Sequence, residues 1–320
     1  YRKLGNTGLE VSEIGFGAWG IGGTKNGAIA YGPTNDRTSK TALRRAYDLG
    51  VTFYDTADLY GYGHSEALIG MTLSDVRERI IIASKVGFTS FDGLQDFSSQ
   101  HIRNSIENSL RRLQSDYIDL YQLHSPPVKA LEKDDTLLTL QSLVTEGKVR
   151  AIGISVRSPE EAQFFISKFD FQAIQVNFNF VDQRALDCGL FKLCKSKGIG
   201  LIIRTPLCCG FLTARYSEQD KYDSHDHRNS WSTEQIERWA GAYKLFSKGL
   251  MDHENQTHAQ IALRFCLSYP SISSIIPGML TEEHVNENVF SSELGVFTIK
   301  ELQKFRQIYE ENTFFINNSE

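Results

Sequence analysis

The feature that most constrains this chain is an alternation: short runs of Val, Ile, Leu and Phe are separated, eight times over, by longer amphipathic stretches. Strand-like runs fall at Glu13–Gly17, Val51–Tyr54, Arg79–Ser84, Tyr117–Leu123, Val149–Ile154, Gln172–Val176, Gly200–Arg204 and Ile272–Ile276. Helical stretches fall at Asp36–Leu49, Ser65–Leu73, Ser99–Gln114, Val128–Gly147, Pro159–Lys168, Gln183–Lys197, Gln256–Leu267 and Glu282–Phe290. Alternation of this kind marks βα units over a parallel sheet. Eight such units predict an α/β fold, a closed (β/α)8 TIM barrel of about 250 residues. Ser158 before Pro159 is a natural helix start. The remainder forms additions: an N-terminal β-hairpin over Tyr1–Val11, a polar surface loop over Tyr216–Trp231, and extra C-terminal helices over Thr233–Leu250 and Thr298–Ile308, ahead of an Asn-rich tail. No linker rich in Pro, Gly or Ser divides the chain, so residues 1–320 are expected as one barrel domain.

Composition narrows the functional classes. With 41% hydrophobic and 23% charged residues the chain is expected to bury an ordinary core. A formal net charge of -5 offers no basic field for nucleic acid. No apolar run nears the roughly 20 residues that span a bilayer, and the first residues lack a secretory core, so a soluble, cytoplasmic protein is expected. Cys188, Cys194, Cys208, Cys209 and Cys266 are an odd set without CxxC spacing, which fits reduced thiols. The Cys208-Cys209 pair is read as packing rather than redox sensing. Matches to the glycosylation pattern at Asn255 and Asn317 are too short to carry weight.

Some motifs fail on context. Gly15-Phe16-Gly17-Ala18-Trp19-Gly20 matches the dinucleotide fingerprint GxGxxG, but the glycine-rich continuation to Asp36 is not expected to start the helix that this fingerprint needs. His253 and His258 are five apart, not the four of a zinc-binding HExxH, and no metal site is expected. His225 and His227 are read as solvated loop residues, and Glu132-Lys133-Asp134-Asp135 as an exposed helix start.

The chemistry gathers at strand ends. In a parallel barrel the active site lies at the C-terminal ends of the strands. Asp55 stands just after the second strand run, Tyr60 follows in a glycine-rich turn, Lys85 stands just after the third run and His124 just after the fourth. Adjacent strands bring a carboxylate, a phenol, an ammonium and an imidazole to one mouth, a set suited to carbonyl reduction. Tyr60 would protonate the developing alkoxide, Lys85 would lower the phenol's pKa, Asp55 would hold Lys85, and His124 would bind the carbonyl oxygen. Tyr54 is expected to face outward and Tyr62 to lie further along the loop.

The segment Phe53-Tyr54-Asp55-Thr56-Ala57-Asp58-Leu59-Tyr60-Gly61, followed by Gly63-His64-Ser65-Glu66, resembles the signature of the aldo-keto reductases. The resemblance runs through LGNTGLEVSEIGFGAW, IIIASKVG, DLYQLHSP, VRAIGIS, QVNFN, TPLCCGFLT and IIPGMLTEEHVNEN, and is closest to the branch of bacterial enzymes and channel β subunits. It implies the same four roles and an NAD(P) stretched across the barrel mouth. Ser155 and Gln175 would hold the nicotinamide carboxamide, with Arg204 beside the ring. Thr205, Pro206, Leu207, Gly210 and Leu212 would cover the pyrophosphate. Gly278, Met279, His284, Glu287 and Asn288 would meet the adenosine.

The chain departs from the family pattern in three places. Val156 stands where an asparagine is usual. Arg204 replaces a ring-stacking tyrosine and places positive charge where it should favour the dihydro cofactor. Gly278, Met279 and His284 replace lysine, serine and arginine, which dilutes the grip on a 2′-phosphate. NADP(H) is favoured over NAD(H) by family habit. The expected activity is reduction of an aldehyde, ketone or keto-sugar; the alternatives are a sugar or polyol dehydrogenase and a nucleotide-sensing barrel subunit. Trp19, Phe88 and Trp231 are candidate substrate contacts in loops 19–31, 88–97 and 216–231, and the oligomeric state is not legible.

Overall fold

Successive side chains of a strand point to opposite faces, so each strand here can line the barrel with one set and grip the surrounding helices with the other. The computed structural model describes every residue except 133–134, 218, 251–255 and 317–320; for 247–250 it describes the backbone alone. Eight parallel strands pair in sequence order: β1 Phe16–Gly17, β2 Phe53–Asp55, β3 Ile81–Val86, β4 Ile118–His124, β5 Val149–Ser155, β6 Ala173–Asn177, β7 Gly200–Arg204 and β8 Ser274–Ile275. Bonds from Gly15 N to Ile275 O (2.8 Å), Ile275 N to Glu13 O (2.9 Å) and Gly17 N to Pro277 O (3.0 Å) join the first strand to the last. The sheet closes into the expected (β/α)8 barrel.

The helices form the outer ring. They are α1 Asp36–Asp48, α2 His64–Leu73, α3 Ser99–Leu113, α4 Asp135–Thr145, α5 Pro159–Lys168, α6 Leu190–Lys197, α7 Thr233–Leu250, α8 His258–Leu267, α9 Glu282–Phe290 and α10 Ile299–Glu311. Outward residues such as Tyr54, Tyr121 and Ile174 meet them in one buried layer. Inward residues Phe53, Ala83, Leu120, Ala151, Ala173 and Ile202 form a second, closed from below by Leu4, Leu9 and Val11 of the N-terminal hairpin. Ser158 caps α5 by accepting a bond from Glu161 N at 3.2 Å.

Several boundaries differ from expectation. The helix expected over Val128–Gly147 divides into a 3-10 turn, Val128–Leu131, and α4, which starts at Asp135 where an acidic side chain meets the positive end of the helix. Lys133 and Asp134 of the charged run lie outside the described residues. The helix expected over Gln183–Lys197 breaks at Gly189 (φ 76°), leaving one turn, Arg184–Asp187, ahead of α6. One helical turn does form at Trp19–Gly22, overlapping the end of the glycine-rich motif, and Gly23 (φ 67°) ends it at once. The last helix runs beyond Ile308 to Glu311, started by a reciprocal cap between Thr298 and Glu301. His253, Glu254, Asn255 and Asn317 lie outside the described residues.

The loop expected as surface, Tyr216–Trp231, is anchored inward. Asp226 and Arg228 are both buried, paired through two contacts of 2.7 and 2.9 Å, and the Arg228 guanidinium lies over the rings of Tyr216 (4.3 Å) and Tyr222 (4.5 Å). The segment also pairs with the first barrel loop, His227 N to Ala30 O at 2.8 Å. Two loops distant in sequence thus form one wall of the mouth.

The turn after β2 is held by close backbone contact. Gly61 has φ 60°, and a Cβ there would strike the Gly22 carbonyl; a Cβ on Gly22 would come within 2.9 Å of Gly61 N. Ser65 Oγ also bonds Ala18 O (2.8 Å) and Thr56 Oγ1 (2.9 Å), tying this turn to the first strand. Gly61→Ala is therefore expected to destabilise the fold by about 1–3 kcal/mol through backbone strain and overpacking, measured as a shift in urea midpoint at constant m-value.

Candidate active site

The alternation that builds the barrel also turns Asp55, Lys85, Gln122, His124 and Gln175 inward at the C-terminal ends of neighbouring strands. Lys85 Nζ donates to Asp55 Oδ1 (2.5 Å), to Thr56 O (2.9 Å) and to Tyr60 Oη (3.1 Å). The Asp55 carboxylate is further held by Gln122 Nε2 (3.2 Å) and Gln175 Nε2 (2.7 Å). Lys85 and Asp55 are both buried. Burial alone would strip charge from an ammonium. Here burial presses the Lys85 pKa down, but Asp55 and Tyr60 outweigh it and the value ends above the ordinary one. The ammonium persists because a desolvated carboxylate is fixed against it.

Tyr60 and His124 face the open side of this pair, their rings 5.9 Å apart and nearly perpendicular. Burial raises the Tyr60 pKa, Lys85 works against that and Asp55 adds to it, and the net value stays above 10.0. The expectation that Lys85 brings the phenol below its ordinary value is thus corrected: Lys85 offsets part of the burial cost, and the hydroxyl remains a protonated donor. His124 is pushed well below 6.5, first by burial and then by the charges of Lys85 and Arg204, so it is a neutral imidazole near pH 7. Its Nδ1 is buried without a partner, and Phe88 packs edge-on at 4.8 Å.

A cavity of about 460 Å³ opens over these residues. Trp19 and Phe88 line it as expected from sequence, and Trp19 stacks on Tyr60 at 5.9 Å and 16°. Trp231 does not line it; the ring stands behind His227, 4.7 Å away, and packs on Trp239. His227, expected to be solvated, instead lines the cavity, wedged between Trp19 (4.7 Å) and Trp231, with burial pressing its pKa to about 4. His225 is exposed. Tyr54 faces outward, and exposed Tyr62 packs on Phe91 at 5.1 Å.

The other candidate positions follow the cavity away from this centre. Gln175, Arg204, Thr205, Pro206, Leu207 and Gly210 line one stretch, with Ser155 buried beside Gln175 (3.4 Å). Gly278, His284, Glu287 and Asn288 line the far end. Leu212 and Met279 instead turn into the hydrophobic core, which removes their side chains from any ligand in the cavity. Cys209 lines the cavity and Cys208 is buried; burial raises the Cys209 thiol to about 11 and pushes Cys208 well above the ordinary thiol value, so neither is a ready thiolate.

Sequence reasoning missed two cations. Arg215, after the left-handed Ala214, reaches across the far end to Glu287 Oε2 (2.8 Å) and His284 Nε2 (3.0 Å). Arg228 reaches the cavity from the anchored loop. The cue for Arg228 was the local Asp-His-Arg spacing, which allows the fork-like pairing with Asp226. No local pattern pointed to Arg215, whose partners are about seventy positions away.

Comparison with known proteins agrees with this fold. The profile of the Aldo/keto reductase family matches residues 13–310. The chain is 32% identical over 281 residues to aldo-keto reductase YhdN of Bacillus subtilis, covering 84% of this chain and 82% of that protein. It is 28% identical to aldo-keto reductase yakc [NADP(+)] of Schizosaccharomyces pombe, covering 95% and 90%. Among solved structures, aldo-keto reductase AKR11C1 from Bacillus halodurans in its holo form superposes with a TM-score of 0.80 at 27% identity, covering 99% of this chain and 98% of that one. The protein belongs to the aldo-keto reductase family and is an oxidoreductase. NAD(P)H-dependent reduction of small carbonyl compounds is general to that family. Among the described residues no helix is long and apolar enough to cross a membrane.

The Asp226–Arg228 pair is what holds His227 against Trp19. Asp226→Ala would leave a buried guanidinium without its counter-ion, so we expect a loss of roughly 3 kcal/mol or more in unfolding free energy, read by urea denaturation. Fluorescence of Trp19 and Trp231 is expected to change with it.

Proposed function

We propose that this protein reduces an aldehyde, ketone or keto-sugar to the alcohol, with Tyr60 as proton donor and NADP(H) as the preferred cofactor. The single observation that carries the reading is the hydrogen-bonded line Asp55–Lys85–Tyr60 ending at the cavity floor beside His124. When bound, the dihydronicotinamide supplies the hydride.

The protein's own residues do the rest. His124, a neutral imidazole that lines the cavity, can donate a hydrogen bond from its ring N–H to the carbonyl oxygen. Tyr60 Oη lies on the same floor and delivers its proton to that oxygen as negative charge builds there. Lys85 then faces a phenolate at 3.1 Å, which it stabilises more strongly than the neutral phenol. Asp55 keeps Lys85 charged and aimed. Trp19 and Phe88, with His227, shield this corner from water on the substrate side.

The cavity also suits a dinucleotide. Ser155 and Gln175 would hold the carboxamide, and Arg204 would lie at the ring. Thr205 to Gly210 would border the pyrophosphate; Gly278, His284, Glu287 and Asn288 would border the adenosine. A 2′-phosphate needs a cation, and neither Gly278 nor core-facing Met279 supplies one. Lys85 is committed to Asp55, Arg228 to Asp226, and Arg157 pairs with Glu161. Arg215 is itself paired with Glu287 at 2.8 Å, but it lies at the far end of the cavity with its side chain 53% exposed, so its guanidinium keeps N–H groups for a phosphate as well as for the carboxylate. The relative in Schizosaccharomyces pombe is named for NADP(+), which supports the same preference.

Two outcomes test the reading. Tyr60→Phe removes the transferable proton and leaves the ring, so kcat for aldehyde reduction is expected to fall about 10²–10⁴-fold with the cofactor Kd little changed, in steady-state assays paired with fluorescence titration. Arg215→Gln is expected to weaken NADPH binding by about tenfold, the loss of one charge-assisted contact, and to leave NADH binding nearly unchanged.

A further inference from the structure

Among the described residues the catalytic corner holds one cation with no carboxylate partner. Arg204 ends β7, and among the described residues its side chain makes one hydrogen bond, from Nη2 to Val156 O at 3.0 Å. Its Nε is buried and has no partner. The nearby carboxylate, Asp55, is already engaged by Lys85, Gln122 and Gln175. The charge of Arg204 reaches Tyr60, His124, His227 and Cys209. Burial lowers its pKa, but a guanidinium keeps its proton under any condition the fold survives.

The register shows where that charge lies. Strands β5, β6 and β7 are adjacent, with Ser155 paired to Gln175 and Asn177 paired to Arg204. To bond the carbonyl just after β5, a side chain rooted at the end of β7 must pass over the end of β6. The guanidinium therefore spans the mouth above Gln175 and beside Ser155. Two departures from the family pattern, Val156 and Arg204, meet in this one contact.

We propose that Arg204 discriminates between the redox states of the cofactor, disfavouring the positively charged oxidised ring and accepting the neutral dihydro ring. This inference rests on the cofactor placement proposed above, in which Ser155 and Gln175 hold the carboxamide. A ring held there lies against the guanidinium. The planar cation can stack on either form, but only the pyridinium meets like charge, in a corner where few water molecules screen it. Discrimination of this kind speeds departure of the oxidised product and suits an enzyme working in the reductive direction.

Equilibrium binding of NADPH and NADP+ to the wild type and to Arg204→Gln, Arg204→Tyr and Arg204→Lys tests the proposal, with thermal unfolding as the check on folding. The wild type and the lysine variant are expected to prefer NADPH by roughly tenfold over NADP+, as for like charges a few ångströms apart in a partly screened site. In the glutamine and tyrosine variants the ratio is expected to fall towards one because NADP+ tightens. A ratio unchanged in those two folded variants, whether both constants move together or neither moves, overturns the role of Arg204 and leaves the cofactor placement standing. Failure of both nucleotides to bind the wild type overturns the placement itself, and the inference with it.

Discussion

A lysine ammonium buried at the barrel mouth is the constraint around which the rest of the site is arranged. Desolvation of a charge costs several kcal/mol unless a partner is fixed against it, and Lys85 has three partners: Asp55, the Thr56 carbonyl and the Tyr60 hydroxyl. Asp55 would itself be costly to bury without the amides of Gln122 and Gln175. The network draws on four neighbouring or near-neighbouring strands, and it requires the turn after β2 to return Tyr60 to within 3.1 Å of the ammonium. The close approach of Gly22 and Gly61 and the bonds of Ser65 hold that turn in place. Fold and chemistry are thus coupled through one charge.

The same logic orders the substrate side. Asp226 and Arg228 neutralise each other in a buried pair, which pins the 216–231 loop against the first barrel loop and wedges His227 against Trp19. Arg204 is the exception, a charge that nothing among the described residues neutralises. Charges settled within the protein build the walls, and the one left unsettled lines the cavity.

Much of the barrel was legible because periodicity is local. Each strand run reappears within a few residues of its expected place, and Gly200–Arg204 does so without change. Asp55, Lys85 and His124 could be found because alternation places them inward at strand ends. The breaks were harder to see. Gly189 interrupts a stretch whose hydrophobic pattern continues through it, and the pattern does not report a left-handed backbone. Longer-range features were not legible at all: the wedge of His227, the displacement of Trp231 behind it and the reach of Arg215 to Glu287 depend on loops meeting across the mouth. The direction of the Tyr60 shift belongs here too, since chemistry suggests the effect of a neighbouring cation, while the degree of burial that opposes it follows only from packing.

The central claim is that Lys85 holds the Tyr60 hydroxyl within reach of proton transfer against the effect of burial. The most direct measurement is an NMR titration of Tyr60 labelled at the ring carbon bearing the hydroxyl, in the wild type and in Lys85→Met. The account requires the phenol of the variant to titrate well above that of the wild type, or not at all before unfolding. Coincident titration curves in the two folded proteins would contradict it.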